Sequence, residues 1–318
     1  MKWRYKVDHQ IRSLDEIYSA ATEMAKKYGP YRVAVAAGET KMSLGALKLG
    51  RDLELIEPIL VGDQRSIARS FEEMEMSLKG WQVVAERDNQ LATKKAAKMV
   101  TDGLADILMR GKVIARDFFK VLFEKELGLR HKGDMWNNIV LIDNIGLDRL
   151  IYITDCGLVF ETDLAGRLKL IQNAIDFSGG LGLTNPKIAI LAAVESVSPG
   201  MPVSIEAAAI AKMSDRGQFA KGVSIDGPLS LDLSLVANSV AKKKIDSPVA
   251  GKADILIVNE LNAGNALYKT LVTLCGARSA STIAGAPIPI ILTSRSETPE
   301  NVMFSFALTI LMAGAKDR

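Results

Sequence analysis

The amino-acid sequence predicts an α/β protein made of two doubly wound α/β domains, of which the first is discontinuous. Short runs rich in β-branched residues alternate with longer stretches of helical period, a pattern typical of parallel strands joined by crossover helices. The length of 318 residues exceeds that of one usual compact core, which favours two domains. Apolar residues make up 48% of the chain and aromatic residues 6%, a composition that suits layered helices and strands.

The first part of the chain has the pattern of a strand and helix series. A helix is predicted from Ser13 to Tyr28, and the strand YRVAVAA follows it. The turn GETK lacks the spacing of a nucleotide-binding P-loop, so we interpret it as a turn that opens a helix. A helix over residues 89–101 and an amphipathic helix, ARDFFKVLFEKELGL, come later, and Arg130 lies just beyond the second one. Further strands are predicted at EPILVGD, WQVVAERD and ADILMRG.

Two polar or glycine-rich segments mark the predicted domain boundaries. HKGDMWNN is the first crossing, and AGAPIP is the return. We therefore expect the first domain over residues 1–138 and 285–318, and the second domain over residues 139–284. The runs NIVLIDNI and RLIYITD follow each other closely, which favours an antiparallel hairpin at the start of the second domain.

The rest of the second domain alternates between helices and strands. GVSID and ADILIVN are predicted as buried parallel strands, which places Asp226 and Asn259 at carboxyl ends of strands. That edge of an open α/β sheet is where ligands bind. After the strand IILTS, the final apolar helix VMFSFALTILMAGA is too short to cross a bilayer, and we expect it to be buried or to face a second subunit. The other elements predicted here are a helix at LAGRLKLIQNAIDFSGGLGL, a strand at KIAILAAVES and a helix over residues 203–216.

Composition excludes several classes of function. The net charge of +3 is too small to indicate a nucleic-acid partner, and no signal peptide or membrane-spanning stretch is present in the sequence. Cys156 and Cys275 are too few and too far apart for a zinc cluster or a disulfide framework, which favours a reducing, cytoplasmic location. His9 and His131 are the only histidines, so a histidine general base is not expected. We interpret Cys275 as a small core residue of an apolar helix rather than a nucleophile.

The loop TSRSETPENV is a candidate site because it follows a strand and precedes a helix that Thr298 is expected to cap. Ser294 and Arg295 are left in the loop, where a hydroxyl and a guanidinium can bind an anion. In the alternative interpretation, Ser294 fixes the loop and Arg295 pairs with Glu297 on the surface.

Two further turns are candidates for substrate binding. In NELNAGNALYK, Gly264 permits close backbone approach, Asn265 can donate hydrogen bonds from a helix start, and Lys269 adds a cation. An ordinary asparagine cap is the alternative. In DGPLSLDLSL, the predicted strand end carries Asp226 and Gly227.

These segments together resemble the phosphate acetyl/butyryltransferase family. The resemblance extends over nearly the whole chain, and the size and the ILTSR ending are closer to the butyryl branch. It implies a reversible reaction of acyl-CoA with inorganic phosphate that gives acyl phosphate and CoA, in a cleft between the domains of a homodimer, without a metal or redox cofactor. The segments that carry it are DGPLSLDLSL, SPVAGKADILIV, NELNAGNALYK, EPILVGD, ADILMRGKV, KELGLR, PKIAILAAVESVSPGMP and PIILTSR.

The resemblance also implies roles for single residues. A serine and arginine pair at the place of Ser294 and Arg295 contacts the acyl-CoA or the acyl phosphate. An arginine at the place of Arg130 holds the phosphate or the developing oxyanion. The alternative for Arg130 is a carboxylate partner at a helix end.

The general base is the point at which this sequence departs from the acetyl-type pattern. Those relatives have an aspartate seven residues after the serine, where this chain has Asn301, which cannot accept a proton. Butyryl-type relatives often have an acid three residues after the serine, which here is Glu297. We therefore expect Glu297 to assist deprotonation of the CoA thiol. The alternatives are Glu300 in the same loop and helix start, and Asp226 or Glu260 from the other domain.

Two other functional classes remain open on the sequence. A dehydrogenase could have a similar two-domain layout, although the chain has no glycine fingerprint and no cluster of metal-binding aspartates. A non-catalytic CoA-binding paralogue could keep the same fold. Because the sequence offers no credible pair of nucleophile and base, we expect direct attack by the thiolate in a ternary complex rather than an acyl-enzyme.

Overall fold

The computed structural model describes residue 3 and residues 7–294 and 297–315, with the side chain of Met42 excepted. The chain divides into two compact units. The first contains Leu14–Asp134 and the segment that begins at Ser279, and the second contains Met135–Arg278 with a short segment that ends at Ser13. The boundaries expected from the sequence, after residue 138 and before residue 285, lie a few residues beyond these changes.

Helices and strands alternate along most of the chain. A 3-10 helix at Lys125–Leu127 and a π-helical turn at Thr270–Leu274 are additional short elements. The order is α1 (Leu14–Tyr28), β1 (Tyr31–Ala36), α2 (Lys41–Asp52), β2 (Ile56–Gly62), α3 (Gln64–Glu73), β3 (Gln82–Ala85), α4 (Asn89–Thr101), β4 (Ile107–Arg110), α5 (Ala115–Leu122), β5 (Asn137–Asp143), β6 (Ile151–Thr154), α6 (Leu164–Gly180), β7 (Lys187–Leu191), α7 (Pro202–Asp215), β8 (Ser224–Leu229), α8 (Leu231–Leu235), α9 (Ala237–Lys243), β9 (Ile255–Ile257), α10 (Leu261–Lys269), β10 (Arg278–Ala284), β11 (Ile290–Ile291) and α11 (Pro299–Ala313).

The first unit is built on a parallel sheet with the strand order β11-β4-β1-β2-β3. The central strands β1 and β4 are nearly continuous apolar runs and are buried along almost their whole length, as is typical of parallel strands in a sheet covered by helices. All pairings between neighbouring strands of this sheet are parallel. Their carboxyl ends therefore share one edge, which includes the residues after β4 and β11.

The second unit contains a mixed sheet. Strands β5 and β6 form the antiparallel pair expected from the sequence, and β6, β9, β7 and β8 follow in parallel. An apolar core that includes Ile153, Ala189, Leu233 and Leu256 supports this sheet. The α/β class predicted from the sequence is confirmed.

Helix α11 is buried from Asn301 to Met312. It packs against α1 and α2 of its own unit, and the Tyr31 hydroxyl donates to the Gly314 carbonyl just after it, at 2.7 Å. Burial of this helix was expected, but its apolar surface is used within the unit and gives no support for a second subunit. Within the described part of the chain, every helix is too short or too polar to span a bilayer.

Several local expectations were wrong, among them the core position of Cys275, which is exposed directly after the π-helical turn. The predicted helix ARDFFKVLFEKELGL ends at Leu122, because Glu124 has an extended backbone before the 3-10 helix. The strand β8 continues past Asp226 and Gly227 to Leu229, because a register shift in β7 lets Leu229 pair with Leu191. The strand β10 was missed, since its sequence RSASTIA is rich in small polar residues rather than β-branched ones.

Candidate active site

Glu297 is the buried carboxylate of the loop that follows β11. The residue is only 6% exposed. One carboxylate oxygen accepts a hydrogen bond from the Ser279 hydroxyl at 3.1 Å, and the other accepts one from the Ser294 backbone amide at 3.0 Å. The carboxylate therefore ties the start of β10 to this loop. Surface pairing of Glu297, the alternative weighed from the sequence, does not fit this burial, and Arg295 lies outside the described residues.

Asn301 occupies the position at which acetyl-type relatives have an aspartate, and its role is visible. The residue is buried, and its side-chain oxygen accepts the Ser279 amide at 3.0 Å. The backbone amide of Asn301 in turn donates to the hydroxyl oxygen of Thr298, which caps α11 as the sequence predicted. Asn301 and Glu297 thus hold the backbone amide and the hydroxyl group of Ser279.

Arg110 connects the ends of two neighbouring strands and was missed as a site residue. It is buried at the last position of β4, and its guanidinium donates to the carbonyls of Val113 and Thr293. Because Thr293 directly precedes Ser294, Arg110 fixes the backbone from which the candidate loop begins. The signal in the sequence was a charged residue at the end of the apolar run ADILMR.

Arg130 is exposed, and its guanidinium is held at two points. It lies 4.1 Å from the centre of the Phe123 ring, and it donates to the Asp134 carbonyl at 3.3 Å. Both contacts leave the planar group near the surface of the first unit, where it can bind an anion through its remaining donors. Neither contact is the side-chain carboxylate partner that was the alternative.

In the second unit, Asp155 organises the turn that follows β6. It is almost fully buried, one carboxylate oxygen accepts the amides of Gly157 and Leu158 at 2.6 and 2.7 Å, and the other accepts the Asn138 amide at 2.7 Å. Burial raises the pKa of Asp155, and these backbone donors oppose that shift. The signal for this residue was an acid at the end of the apolar strand RLIYITD.

The helix that carries the NAGN motif packs on this same turn. The side-chain amide of Asn265 donates to the Cys156 carbonyl at 3.1 Å. A Cβ atom on Gly264 would lie 2.1 Å from the backbone carbonyl oxygen of Asp155. The close approach predicted for Gly264 is therefore an approach of protein backbone. Asn265 is half-buried and is used in part to hold the turn, while Lys269 is the half-buried last residue of α10.

Arg167 holds the carboxyl end of β9 and was also missed. Its guanidinium donates to the carbonyls of Val258 and Asn259 at 2.9 and 2.7 Å and pairs with Glu206 at 2.8 Å. The residue lies on the buried face of α6, with Leu170 and Ile171 one turn further along. An arginine in phase with these apolar positions was the signal in the sequence.

Asp226 and Gly227 lie inside β8 rather than at its end. The Asp226 carboxylate accepts the Gly227 amide at 2.8 Å, and a Cβ on Gly227 would lie 2.9 Å from Ile190 and 3.2 Å from Ala207. Packing against β7 and α7 thus explains the glycine. On β8 these two residues are separated from β9, which precedes the NAGN helix, by β7.

The structure therefore joins some predicted residues and separates others. Ser294 and Glu297 are hydrogen-bonded, and Gly264 and Asn265 contact one turn. Burial raises the pKa of the Cys156 thiol in that turn well above its usual value, which makes it a poor nucleophile. Among the described residues, no group of three or more histidines, cysteines, aspartates or glutamates could hold a metal ion.

Comparison with known proteins decides the family. Residues 84–310 match the family model described as phosphate acetyl/butaryl transferase. The chain belongs to this phosphate acetyl/butyryltransferase family. The matched range includes every candidate site residue named above, among them Arg130, Asn265, Ser294 and Glu297.

Similar proteins cover almost the whole chain. The phosphate butyryltransferase of Clostridium acetobutylicum is 33% identical over 96% of this chain and 100% of its own length. The phosphate acetyltransferase of Thermotoga maritima is 37% identical over 92% of this chain and 98% of its own length. A branched-chain phosphotransacylase from Enterococcus faecalis V583 matches in structure with a TM-score of 0.77, at 27% identity, over 90% of this chain and 100% of that chain. As a member of this family, the protein is an acyltransferase.

Proposed function

We propose that this protein transfers a short acyl group, butyryl or acetyl, reversibly between CoA and inorganic phosphate. The observation that carries the proposal is the similarity to both a phosphate butyryltransferase and a phosphate acetyltransferase over 96% and 92% of the chain. The exposed guanidinium of Arg130 and the fixed loop at Ser294 supply groups that such a reaction needs, because its substrates are anionic.

The proposed reaction is a direct displacement in a ternary complex. The CoA thiol loses its proton, and the thiolate attacks the carbonyl carbon of the acyl phosphate. A carbon–sulfur bond forms, the carbon–oxygen bond to phosphate breaks, and phosphate leaves with the electron pair. In the reverse direction a phosphate oxygen attacks the thioester. Arg130 and Arg295 would neutralise the phosphate and the developing oxyanion, and Ser294 would donate a hydrogen bond to the acyl substrate.

Glu297 is the proposed acceptor of the thiol proton. Hydrogen bonds from Ser279 and Ser294 fix its carboxylate, which supports a positioned base. Glu300 is the other carboxylate of this segment and is exposed in the first turn of α11. Asn265, Gly264, Lys269, Asp226 and Gly227 are retained as proposed substrate-binding residues of the second unit.

The experiment that tests this proposal is a phosphate-dependent assay of CoA release. Acetyl-, propionyl-, butyryl- and isobutyryl-CoA are each incubated with the enzyme, with and without inorganic phosphate. We expect CoA release to require phosphate and to be fastest with a short acyl chain. Failure of all four substrates would contradict the proposal.

Two further measurements distinguish the other functional classes. Tight CoA binding by calorimetry without turnover of any acyl chain would indicate a non-catalytic CoA-binding paralogue. A change in nicotinamide absorbance with a hydroxy acid would indicate a dehydrogenase. Neither class is favoured, because the similar proteins over nearly the full chain are named as acyltransferases.

We also propose a cytoplasmic homodimer that uses no metal or redox cofactor and binds neither nucleic acid nor membrane. Transfer of an acyl group between a thiol and phosphate changes no oxidation state, so the chemistry requires no redox group. The dimer rests on the family alone, since α11 is buried inside its own unit. Light scattering tests it, and a mass near 34.4 kDa at micromolar concentration would contradict it. To test whether a metal is needed, the enzyme is treated with a chelator, and we expect it to keep full activity.

A further inference from the structure

The second unit contains a polar cavity of about 340 Å³ at the amino ends of its parallel strands. Arg149 precedes β6, Lys187 begins β7, and Asp254 precedes β9. The carboxyl ends of these strands, which lead to Asp155 and Asn259, lie at the opposite edge of the sheet. The cavity is therefore separate from the turns discussed above. Its lining comprises Gln10, Arg12, Asp148, Arg149, Leu183, Thr184, Asn185, Lys187 and Asp254.

The segment before α1 forms one wall of this cavity and is firmly docked. The Ile11 amide donates to the Leu181 carbonyl at 2.9 Å. A Cβ atom on Gly182 would lie 2.7 Å from the His9 carbonyl oxygen and 2.8 Å from Gln10, so only glycine lets the segment pack this closely. Gln10 and Arg12 are thereby held beside the loop before β7 rather than projecting from a loose terminus.

The carboxylates of the cavity are already engaged or face water. One oxygen of Asp254 accepts the Lys187 amide at 2.9 Å, and the other lies 3.6 Å from the Arg149 guanidinium. Arg149 also donates to the Ala253 carbonyl at 3.0 Å. The side chain of Asp148 is 93% exposed at 3.8 Å from Arg149, so solvent screens most of its charge.

Positive charge therefore exceeds negative charge in the lining. The cations are Arg12, Arg149 and Lys187, against the carboxylates of Asp148 and Asp254. Lys187 is a half-buried residue, and its ammonium makes no hydrogen bond or ion pair within residues 7–294 and 297–315; it acts on Asp254 only through space. An ammonium without an acceptor in the protein gains a charge-assisted hydrogen bond from an anion that supplies one.

We propose that this cavity binds a small organic anion whose carboxylate or phosphate group contacts Lys187 and Arg12. Gln10, Thr184 and Asn185 offer neutral hydrogen-bonding groups for the rest of the molecule, and the volume is sufficient for a metabolite of a few carbon atoms. The anion would bridge the docked segment and the start of β7. This inference does not depend on the proposed catalytic function.

Binding of two probes tests the proposal in the full-length protein. Succinate represents carboxylates and glycerol 3-phosphate represents phosphate monoesters, and each is titrated by calorimetry with and without saturating CoA. We expect one of them to bind with a stoichiometry of one per chain, and CoA to leave its affinity unchanged. The probe that binds identifies the anionic group.

Three variants locate the bound probe. Lys187→Gln and Arg12→Gln should each weaken binding roughly tenfold, because each removes a charge-assisted contact. Lys212→Gln is the matched control, since it removes the same charge from an exposed pair with Asp215 in the same unit, and its affinity should equal that of the parent. Melting curves without probe establish that all three variants are folded.

Several results would overturn the proposal. The first is that neither probe binds at concentrations up to roughly 10 mM. The second is that CoA displaces the bound probe, which would assign the probe to a substrate site. Equal affinity in the parent and in folded Lys187→Gln and Arg12→Gln would place the anion elsewhere on the protein.

Discussion

Gly264 and Asp155 are in such close contact that the carbonyl oxygen of Asp155 would lie 2.1 Å from a Cβ atom on Gly264. No side chain fits at that distance without movement of backbone, because the obstructing atom belongs to the turn after β6. We expect Gly264→Ala to lower the free energy of unfolding by about 1–3 kcal/mol. Chemical denaturation monitored by circular dichroism measures this loss.

A second helical glycine provides the control for Gly264→Ala. Gly179 lies near the end of α6, where no other atom would come within 4 Å of an added Cβ. Gly179→Ala should therefore leave stability unchanged or raise it by up to about 1 kcal/mol, the difference in helix propensity. Equal stability of the parent and Gly264→Ala would show that the turn can move, and the packing explanation would fail.

Asp155 should make stability depend on pH in a defined direction. Its pKa is raised above the ordinary value of 3.8, chiefly by burial, so the folded state binds the proton more tightly than the unfolded state. Its contribution to stability is complete below pH 3.8 and is lost as the pH rises through the raised pKa. The parent should therefore lose stability relative to Asp155→Asn over this range.

The same comparison tests the hydrogen bonds of Asp155. In Asp155→Asn the new NH₂ group would face the backbone amide of Asn138 or those of Gly157 and Leu158, so at least one backbone donor loses its acceptor. This should cost about 1–3 kcal/mol at every pH. Denaturation of both proteins at a series of pH values separates this constant difference from the change with pH. A difference that does not vary with pH would contradict the raised pKa.

Much of the fold could be predicted because hydrophobic period determines it locally. The bounds predicted for the strand YRVAVAA and for the helix at residues 89–101 agree with those of β1 and α4 almost residue for residue. The strand β10 could not be predicted in this way, because its serines are buried and the backbone amides of Ser279 and Ser281 donate to Asn301 and Ser305 of α11. Those partners are distant in sequence.

The candidate site was less accessible to sequence reasoning. The position of Ser294 after a strand was predicted from the pattern, but the burial of Glu297 depends on Ser279 in another strand. Arg110 and Arg167 were missed for a related reason, since both donate to backbone carbonyls at strand ends that only the folded sheet brings to them. A pattern of residue types does not reveal such carbonyls.

Arg130 should be required for turnover rather than for folding. We expect Arg130→Ala to reduce phosphate-dependent turnover by more than about tenfold, because it removes a charge-assisted contact to phosphate or to the oxyanion. The same loss is expected for Arg295→Ala. Loss of the contact with the Phe123 ring should cost only about 0.5–1 kcal/mol of stability. Steady-state rates with butyryl-CoA and acetyl-CoA measure the effect.

Two variants make the result for Arg130 specific. Arg130→Lys keeps the charge but loses the planar fork of donors, so its rate should lie between those of the parent and Arg130→Ala. Arg116→Ala removes an arginine whose side chain is 81% exposed, on α5 of the same unit, and should turn over like the parent. If folded Arg130→Ala also turns over like the parent, Arg130 does not contact the phosphate.

Glu297 has the sharpest test, because glutamine can keep its structural contacts. The amide oxygen of Glu297→Gln can accept the Ser294 amide, while its NH₂ donates to the Ser279 hydroxyl oxygen, so the loop should stay in place. If Glu297 takes the thiol proton, this variant should lose about 10²–10⁴-fold in turnover. The parent rate should also fall as the pH drops and the base is protonated, and Glu297→Gln should lack this fall.

Two further variants distinguish a base from a residue that only fixes the loop. Ser279→Ala removes one donor to Glu297 but keeps the carboxylate, so we expect a small loss of stability and a pH profile like that of the parent. Glu300→Gln changes an exposed acid in the first turn of the same helix and should leave both the rate and the profile unchanged. A parent-like rate and profile for Glu297→Gln would exclude Glu297 as the base. The thiol proton would then go to Asp226, to Glu260, to phosphate or to solvent.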